Sequence, residues 1–179
     1  MKSVLISILL GGGLWFTNTH VMADDGDWSR RAPDVAPVKN DLYLSECGSC
    51  HFAYQPGLLP ADSWRKLMGS LQDHFGDNAE LSDETRQRLS DYLVLHAAEN
   101  SKTRRSAKIL RSVGDDVPLR ITDVPYIRRK HDEIPVRLIR DNPDVRSLSN
   151  CAACHTRADS GSFAERDIRI PGVGRWDDD

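Results

Sequence analysis

The chain has 179 residues, of which 28% are charged and 39% hydrophobic, and its formal net charge is −3. This length holds one or two small domains, and a polypeptide this polar has only a modest hydrophobic core of its own. The net negative charge argues against nucleic acid as a partner.

The N-terminus predicts a secretory signal peptide over residues 1–23. A short positive start precedes an apolar run from Val4 to Phe16, and Ala23 stands at the predicted cleavage site. The apolar run is too short to span a membrane, and no later segment is more apolar. We therefore predict an exported, soluble protein of the bacterial periplasm, whose mature chain starts at residue 24.

The first chemical motif follows a predicted short helix over residues 41–46 and consists of Cys47, Cys50 and His51. In a Cys-x-x-Cys-His sequence, the two thiols add to the vinyl groups of a haem and the histidine ligates the iron. Two residues between the cysteines allow both sulfurs to reach one edge of the haem. The histidine that follows then lies beneath the ring.

The same motif occurs a second time, as Cys151, Cys154 and His155. Together the two copies use all four cysteines of the chain. A disulfide, a thioredoxin-like redox pair and a structural zinc site are the alternatives for such cysteines. A disulfide between cysteines three apart is strained, no predicted strand precedes either motif as in a thioredoxin-like pair, and Cys50 and Cys151 lie too far apart in the chain for a typical zinc site. We therefore predict two covalently attached haem c groups.

Two amphipathic helices are predicted after the first motif. One is capped by Asp62 or Ser63 and extends to Phe75, and the other is capped by Ser82 and extends from 83 to about 100. The apolar side of the first comprises Trp64, Leu67, Met68, Leu71 and Phe75.

The second half of the chain is less regular. We predict a basic helix over 103–113, an extended stretch over 119–122 and a short helix from Pro125 that ends before Pro135. Another helix, opened by Asn142, leads into the second motif. Loops with an extended patch at 167–170 complete the chain.

The face of each haem iron opposite its motif histidine decides the chemistry. An open position permits binding of small ligands, whereas a histidine or methionine in that position favours electron transfer. The mature chain has one methionine, Met68, so methionine cannot serve both irons. The spare histidines are His74, His96 and His131. We favour His74 and His131 as iron ligands, with His96 as the serious alternative and Met68 as packing in a haem pocket.

Several stretches resemble the bacterial dihaem cytochrome c family, abbreviated DHC. The run from Glu46 to Pro60 is similar to the first haem site of that family. Trp64 fits as well, and the other matching segments are 73–79, 121–126, 130–134 and the end of the chain from Cys151 through 161–163 to 168–171. The resemblance covers nearly the whole mature chain.

This resemblance implies an all-α protein with two small haem-binding halves, at 24–100 and 101–179. The N-terminal half is similar to a class I cytochrome c, and the C-terminal half consists of short helices and loops. The ligand roles carry over onto His51, His74, His131 and His155, but not onto His96. The implied function is single-electron transfer in the periplasm, not enzymatic catalysis. The implied partners are a small oxygen-binding c-type cytochrome and a membrane b-type cytochrome.

Two other functions stay open on the residues alone. A dihaem enzyme, such as a peroxidase or a reductase of small ligands, would need one open iron and acid or base groups beside it. A haem-based gas sensor or carrier would also need an open iron. The basic segment over 101–146 has twelve Lys or Arg against seven Asp or Glu. It is a solvated surface, a docking face for an acidic partner or a set of cations that pair with haem propionates.

Overall fold

The computed structural model describes residues 32–176, and helices dominate this part of the chain. The helices are α1 (Asp41–Cys47), α2 (Ala61–Met68), α3 (Asp83–Leu95), α4 (Arg104–Val113), α5 (Pro125–Arg129) and α6 (Cys151–Cys154). An antiparallel pair of short strands, β1 (Arg169–Ile170) and β2 (Gly174–Arg175), follows them. The prediction of an all-α fold is confirmed. The predicted signal peptide lies outside the described residues, and within 32–176 no helix is long and apolar enough to cross a membrane.

Short polar side chains begin three of the helices. The Asn40 Oδ1 accepts a hydrogen bond from the Tyr43 amide at 2.9 Å, and the Ser82 hydroxyl accepts one from Thr85 at 3.2 Å. Thr103 caps α4 in the same way. Such caps satisfy amides that have no partner inside the helix. The predicted helix starts near residues 41, 83 and 103 are therefore correct.

The predicted ends of α2 and α3 are wrong. Helix α2 ends at Met68 instead of Phe75, because a tight turn follows in which Phe75 adopts the left-handed region with φ 62°. Phe75 is 42% exposed and is not part of the buried side of α2. Helix α3 ends at Leu95 instead of residue 100, since the chain turns there and the Ala98 amide donates to the Leu59 carbonyl at 3.0 Å.

Two expectations for the second half also fail. The stretch over 119–122 is not extended, because Ile121–Asp123 forms a 3-10 turn. No helix leads from Asn142 into the second motif. Instead, the amides of Val145 and Arg146 both donate to the Asn142 carbonyl and close a turn. Only the motif itself, over Cys151–Cys154, is helical.

The hydrophobic core joins segments from both halves of the chain. Helix α2 packs against α3, and α4 packs against α5. The core includes Val35, Leu59, Leu89, Leu93, Ile109 and Val124, each at most 1% exposed. The Ser106 hydroxyl donates to the Gly57 carbonyl at 2.7 Å, and the Gln55 side chain donates to the Ala158 carbonyl at 2.6 Å. The division into halves at residue 100 stays a prediction.

The first described residues, around Val35, lie against the segment that follows the second motif, around Gly161. The Val35 amide donates to the Gly161 carbonyl at 3.1 Å. Gly161 has a φ of 75°, and a Cβ at this position would collide with the Val35 carbonyl oxygen. Glycine is therefore required here for two reasons, the left-handed backbone and the close approach of the other segment.

Candidate haem-binding sites

The first Cys-x-x-Cys-His motif begins at the last residue of α1. Cys47 ends the helix, and the turn that follows carries Cys50 and His51 to the surface, where both are exposed. The His51 Nδ1 lies 2.8 Å from the Phe52 carbonyl oxygen. A histidine whose Nδ1–H donates to a backbone carbonyl presents its Nε2 to a metal.

His74 lies opposite His51. The ring centres of the two histidines are 6.1 Å apart, and their planes differ by 17°. A tight turn holds His74 in this position, since its amide donates to the Asp77 carbonyl at 2.7 Å and the Gly76 amide donates to the Asp73 carboxylate at 3.1 Å. The structure therefore places His74, one of the two histidines favoured as further ligands, beside the first motif histidine.

The surroundings of His74 favour the neutral form of its imidazole. Its Nδ1 is buried and has no hydrogen-bond partner. Burial lowers its pKa most, and His51 and the positive charge of Arg120 lower the pKa further against the opposing effect of Asp77. Neutral imidazole is the form that binds a metal ion.

The second motif occupies α6 and the residue after it. One helical turn carries Cys151 and Cys154, and the His155 amide donates to the Cys151 carbonyl at 2.9 Å. The ring centres of His155 and His131 are 6.0 Å apart, with an angle of 73° between the planes. The His131 Nδ1 lies 2.8 Å from the Ile127 carbonyl oxygen, which leaves its Nε2 for a metal.

A cavity of about 270 Å³ lies beside this second pair of histidines. Cys151, Cys154, His131 and His155 all line it. Its other lining side chains are largely apolar, among them Leu58, Ile121, Ile127, Leu138, Phe163 and Ile168. Four basic residues also line it, namely Arg105, Lys108, Arg128 and Lys130. A mostly apolar cavity with cationic groups at its wall suits an apolar ring system that carries carboxylates.

His155 is the more strongly perturbed of the motif histidines. Burial, followed by His131 and Arg105, lowers the pKa of His155 to about 4, against the opposing effect of Asp34. Its Nδ1 is buried without a hydrogen-bond partner. A buried nitrogen that no protein group satisfies fits a site whose missing partner is a bound group.

Both histidine pairs fit an iron between them. An imidazole nitrogen binds a transition metal at about 2 Å, so two imidazoles on opposite faces of one metal have ring centres about 6 Å apart. The two pairs have ring centres 6.1 and 6.0 Å apart. The sites therefore fit haem iron with histidine on both faces.

None of the four cysteines pairs with another in a disulfide, and burial raises the pKa of three of them. Burial, with smaller effects from Glu46 and Cys50, raises the pKa of Cys47 to about 11. Burial also raises the pKa of Cys151 to about 11 and raises that of Cys154. A thioredoxin-like pair needs a lowered thiol pKa, so this environment argues against a dithiol redox site.

His96 has different surroundings from the four paired histidines. It is exposed at the end of α3, its Nδ1 lies 2.8 Å from the Tyr92 carbonyl oxygen, and its ring lies 4.5 Å from that of Tyr92. Among the described residues, the His96 ring contacts the ring of Tyr92 and not that of a motif histidine. Met68 is 5% exposed within the core, and its place in a haem pocket stays a prediction.

Tyr54 connects the two motifs and was not singled out from the sequence. Its ring centre lies 5.1 Å from that of His51, and its hydroxyl donates to the Ser149 carbonyl at 2.6 Å. Ser149 precedes Cys151 by two residues, so Tyr54 ties the first motif to the second. Burial raises the pKa of Tyr54 to about 12, and the hydroxyl stays a donor. The sequence signal that could have pointed to Tyr54 is its position three residues after His51.

Arg105 belongs to the basic run of α4, for which the sequence left open a solvated face, a docking face and pairing with haem propionates. Its side chain is only 17% exposed at the wall of the cavity, 3.6 Å from the Asp34 carboxylate. The guanidinium lies over the ring of Phe163, at 5.5 Å from its centre, and Phe163 contacts the ring of His155.

Comparison with known proteins agrees with these two sites. The family model described as dihaem cytochrome c matches residues 43–163. A search of curated proteins finds no match. The resemblance to the dihaem cytochrome c family that the sequence suggested is thereby confirmed.

Solved structures are similar over nearly their whole length. A diheme cytochrome type c from Shewanella baltica OS155 is 46% identical, with a TM-score of 0.65 over 77% of this chain and 98% of that one. The diheme cytochrome c from Rhodobacter sphaeroides is 44% identical, with a TM-score of 0.64 over 72% of this chain and all of that one. A second structure from that organism, of DHC purified from it, is 41% identical.

Proposed function

Because this chain belongs to the dihaem cytochrome c family, we propose that it passes single electrons between redox partners through two low-spin haems, each with two histidine ligands. Electron transfer through haem is the function of the family. The specific observation that supports two histidine ligands is the pairing of His51 with His74 and of His155 with His131, at ring separations that suit one intervening iron. Each haem, when bound, supplies a reversible one-electron couple between Fe(III) and Fe(II).

The chain's own residues hold and orient each haem. Cys47 and Cys50 attach the first haem through thioether bonds, and Cys151 and Cys154 attach the second. The backbone carbonyls beside His51 and His131 fix the orientation of the two imidazoles. With both faces of each iron filled, substrates have no open coordination position. This arrangement favours an electron carrier over an enzyme.

The proposed coordination has a direct spectroscopic test. The purified oxidised protein should show two low-spin ferric haems by EPR and no near-infrared charge-transfer band from methionine coordination. We expect this result because the histidine pairs supply four nitrogen ligands and leave Met68 in the core. A high-spin signal from either haem would contradict the proposal and favour an enzyme or a gas-binding protein.

We further propose that the protein works in the periplasm after cleavage of a signal peptide over residues 1–23. Attachment of haem c takes place outside the cytoplasm, so the two motifs and the export signal agree with each other. Candidate redox partners are a small c-type cytochrome and a membrane b-type cytochrome. Edman or mass-spectrometric analysis of the secreted protein should give an N-terminus at Asp24.

The exposed basic residues in and just before α4 are the proposed docking face for an acidic partner. Lys102, Arg104 and Arg111 are exposed, whereas Arg105 and Lys108 line the second site. Reversing the first three to glutamate should slow electron exchange with an acidic cytochrome and reduce its dependence on salt. Stopped-flow reduction at several ionic strengths measures this, since the screening length falls to about 10 Å at 0.1 M salt.

A matched control separates local docking from net charge. Lys66, Arg88 and Arg137 are exposed and lie outside α4. Reversing these three changes the net charge by the same amount and should slow the exchange much less. Equal rates for both triple variants at each salt concentration would show that α4 is an ordinary solvated surface.

A further inference from the structure

The two haem sites differ in burial and charge although their proposed ligands are the same. This inference rests on the proposed function. The reduction potential of a haem depends on its axial ligands, hydrogen bonds, burial and nearby charge. With histidine on both faces of each iron, ligand identity cannot separate the two potentials. The difference must then come from the protein groups around each site.

The second site places an incompletely neutralised cation at its wall. The Arg105 guanidinium is mostly buried, its Nε has no hydrogen-bond partner, and its Nη2 lies 3.6 Å from the Asp34 carboxylate. The Nη2 also donates to the Phe163 carbonyl at 3.3 Å. The ion pair between Arg105 and Asp34 is therefore long, and the Asp34 carboxylate is partly exposed to solvent. For both reasons Asp34 neutralises Arg105 only in part, and the positive charge acts on the cavity.

Other charges at this wall have the same sign or cancel each other. Lys108 and Arg128 line the cavity, and Lys130 lies 3.6 Å from Glu165, which also lines it. Positive groups therefore outnumber negative ones around the second site.

The first site has no comparable buried charge among the described residues. His51 and Cys50 are exposed there. The cation beside it, Arg120, is exposed and lies over the ring of Phe75 at 3.8 Å from its centre. Asp73 and Asp77 lie in the turn that presents His74, so carboxylates accompany this arginine. Water and salt screen exposed charges far more than buried ones.

We propose that Arg105 raises the reduction potential of the haem at the second site and makes that haem the more easily reduced of the two. Reduction of Fe(III) to Fe(II) takes one electron from a one-electron donor and removes one positive charge at the iron. A buried cation nearby favours the less positive state. Burial of the second site acts in the same direction, because a low dielectric disfavours the more charged iron.

Potentiometric titration of the whole dihaem protein tests this assignment. Arg105→Gln should lower the higher of the two potentials and leave the lower one unchanged. The equilibrium constant for that reduction should fall about tenfold, the effect of one charge roughly 10 Å away at an effective dielectric constant of 20. For a one-electron couple, tenfold corresponds to about 59 mV. Asp34→Asn should shift the same potential upwards, since it removes the counter-charge and keeps an oxygen to accept from the Phe163 amide.

The opposite signs separate an electrostatic role from a structural one. If Arg105 and Asp34 served only to hold the fold together, both substitutions would break the same contact and shift the potential in one direction. Arg105→Lys should restore most of the potential, because it keeps the charge. Arg104→Gln, at an exposed position of the same helix, should change neither potential. The Asp34 and lysine variants keep the test decisive if Arg105→Gln does not take up haem.

Any of three results would overturn the proposal. In the first, Arg105→Gln shifts the lower of the two potentials. In the second, Arg105→Gln and Asp34→Asn shift the higher potential in the same direction, and in the third neither variant shifts it. The EPR spectrum of each oxidised variant is recorded before titration. A high-spin haem in the unaltered protein would contradict the proposed ligands, whereas low-spin haems with unshifted potentials would contradict only the role of Arg105.

Discussion

Replacing His74 by alanine should convert one of the two haems from low-spin to high-spin and open it to carbon monoxide. His131→Ala should do the same to the other haem. Each histidine faces the motif histidine of its site across about the width of one ligated iron. Removing it leaves the iron five-coordinate. Optical and EPR spectra, with and without carbon monoxide, measure the change, and each variant should keep both haems covalently attached.

His96→Ala is the matched control for these two variants. His96 is exposed, and its ring contacts Tyr92 at the end of α3. Its removal should leave both haems low-spin and closed to carbon monoxide. The proposed ligand assignment for the first haem would be wrong if His96→Ala opened a haem while His74→Ala did not.

Removing both cysteines of the second motif should abolish attachment of one haem and strongly destabilise the protein. The Cys151→Ala, Cys154→Ala variant should carry a single haem by intact mass and by pyridine haemochrome assay, where the unaltered protein carries two. Loss of the group leaves a cavity of about 270 Å³ unfilled. At about 24 cal/mol per Å³ of cavity, the free energy of unfolding should fall by up to about 6 kcal/mol, which thermal unfolding can detect.

The first motif provides a comparison of the same chemistry at a more open site. The Cys47→Ala, Cys50→Ala variant should also retain one haem. Its stability should fall less, because Cys50 and His51 lie at the surface. Two haems in either double variant, or one haem in the unaltered protein, would contradict the assignment of the attachment sites.

Local spacing explains why parts of the fold could be predicted. Ser82 and Thr103 begin helices because their side chains bond amides within three residues, a contact that depends on neighbouring residues alone. Helix ends were predicted less well. Helix α2 ends before Phe75 because the turn that presents His74 forms there. Helix α3 ends where the chain turns so that the Ala98 amide donates a hydrogen bond to the carbonyl of Leu59, which lies far away in the sequence. Periodicity contains no information on such partners.

The burial of Arg105 at the second haem-binding site also depends on a residue that is distant in the sequence. In the sequence it belongs to a run of five basic residues with no acid, which predicts a solvated helix face. Its partner, Asp34, lies 71 positions earlier in the chain. The packing of the first described residues against the end of the chain, through Val35 and Gly161, brings this carboxylate beside α4.

The sequence alone identified the family, the two Cys-x-x-Cys-His motifs and the small set of histidines from which the second ligands could come. The motifs lie within a few consecutive residues, and the set of spare histidines follows from the number of histidines in the chain. Both can therefore be recognised without knowledge of the tertiary structure. The pairing of His51 with His74 and of His155 with His131, the link through Tyr54, and the buried charge at one site all depend on contacts between distant segments. Such contacts arise only when the helices and turns pack around a common core, and local patterns cannot specify them.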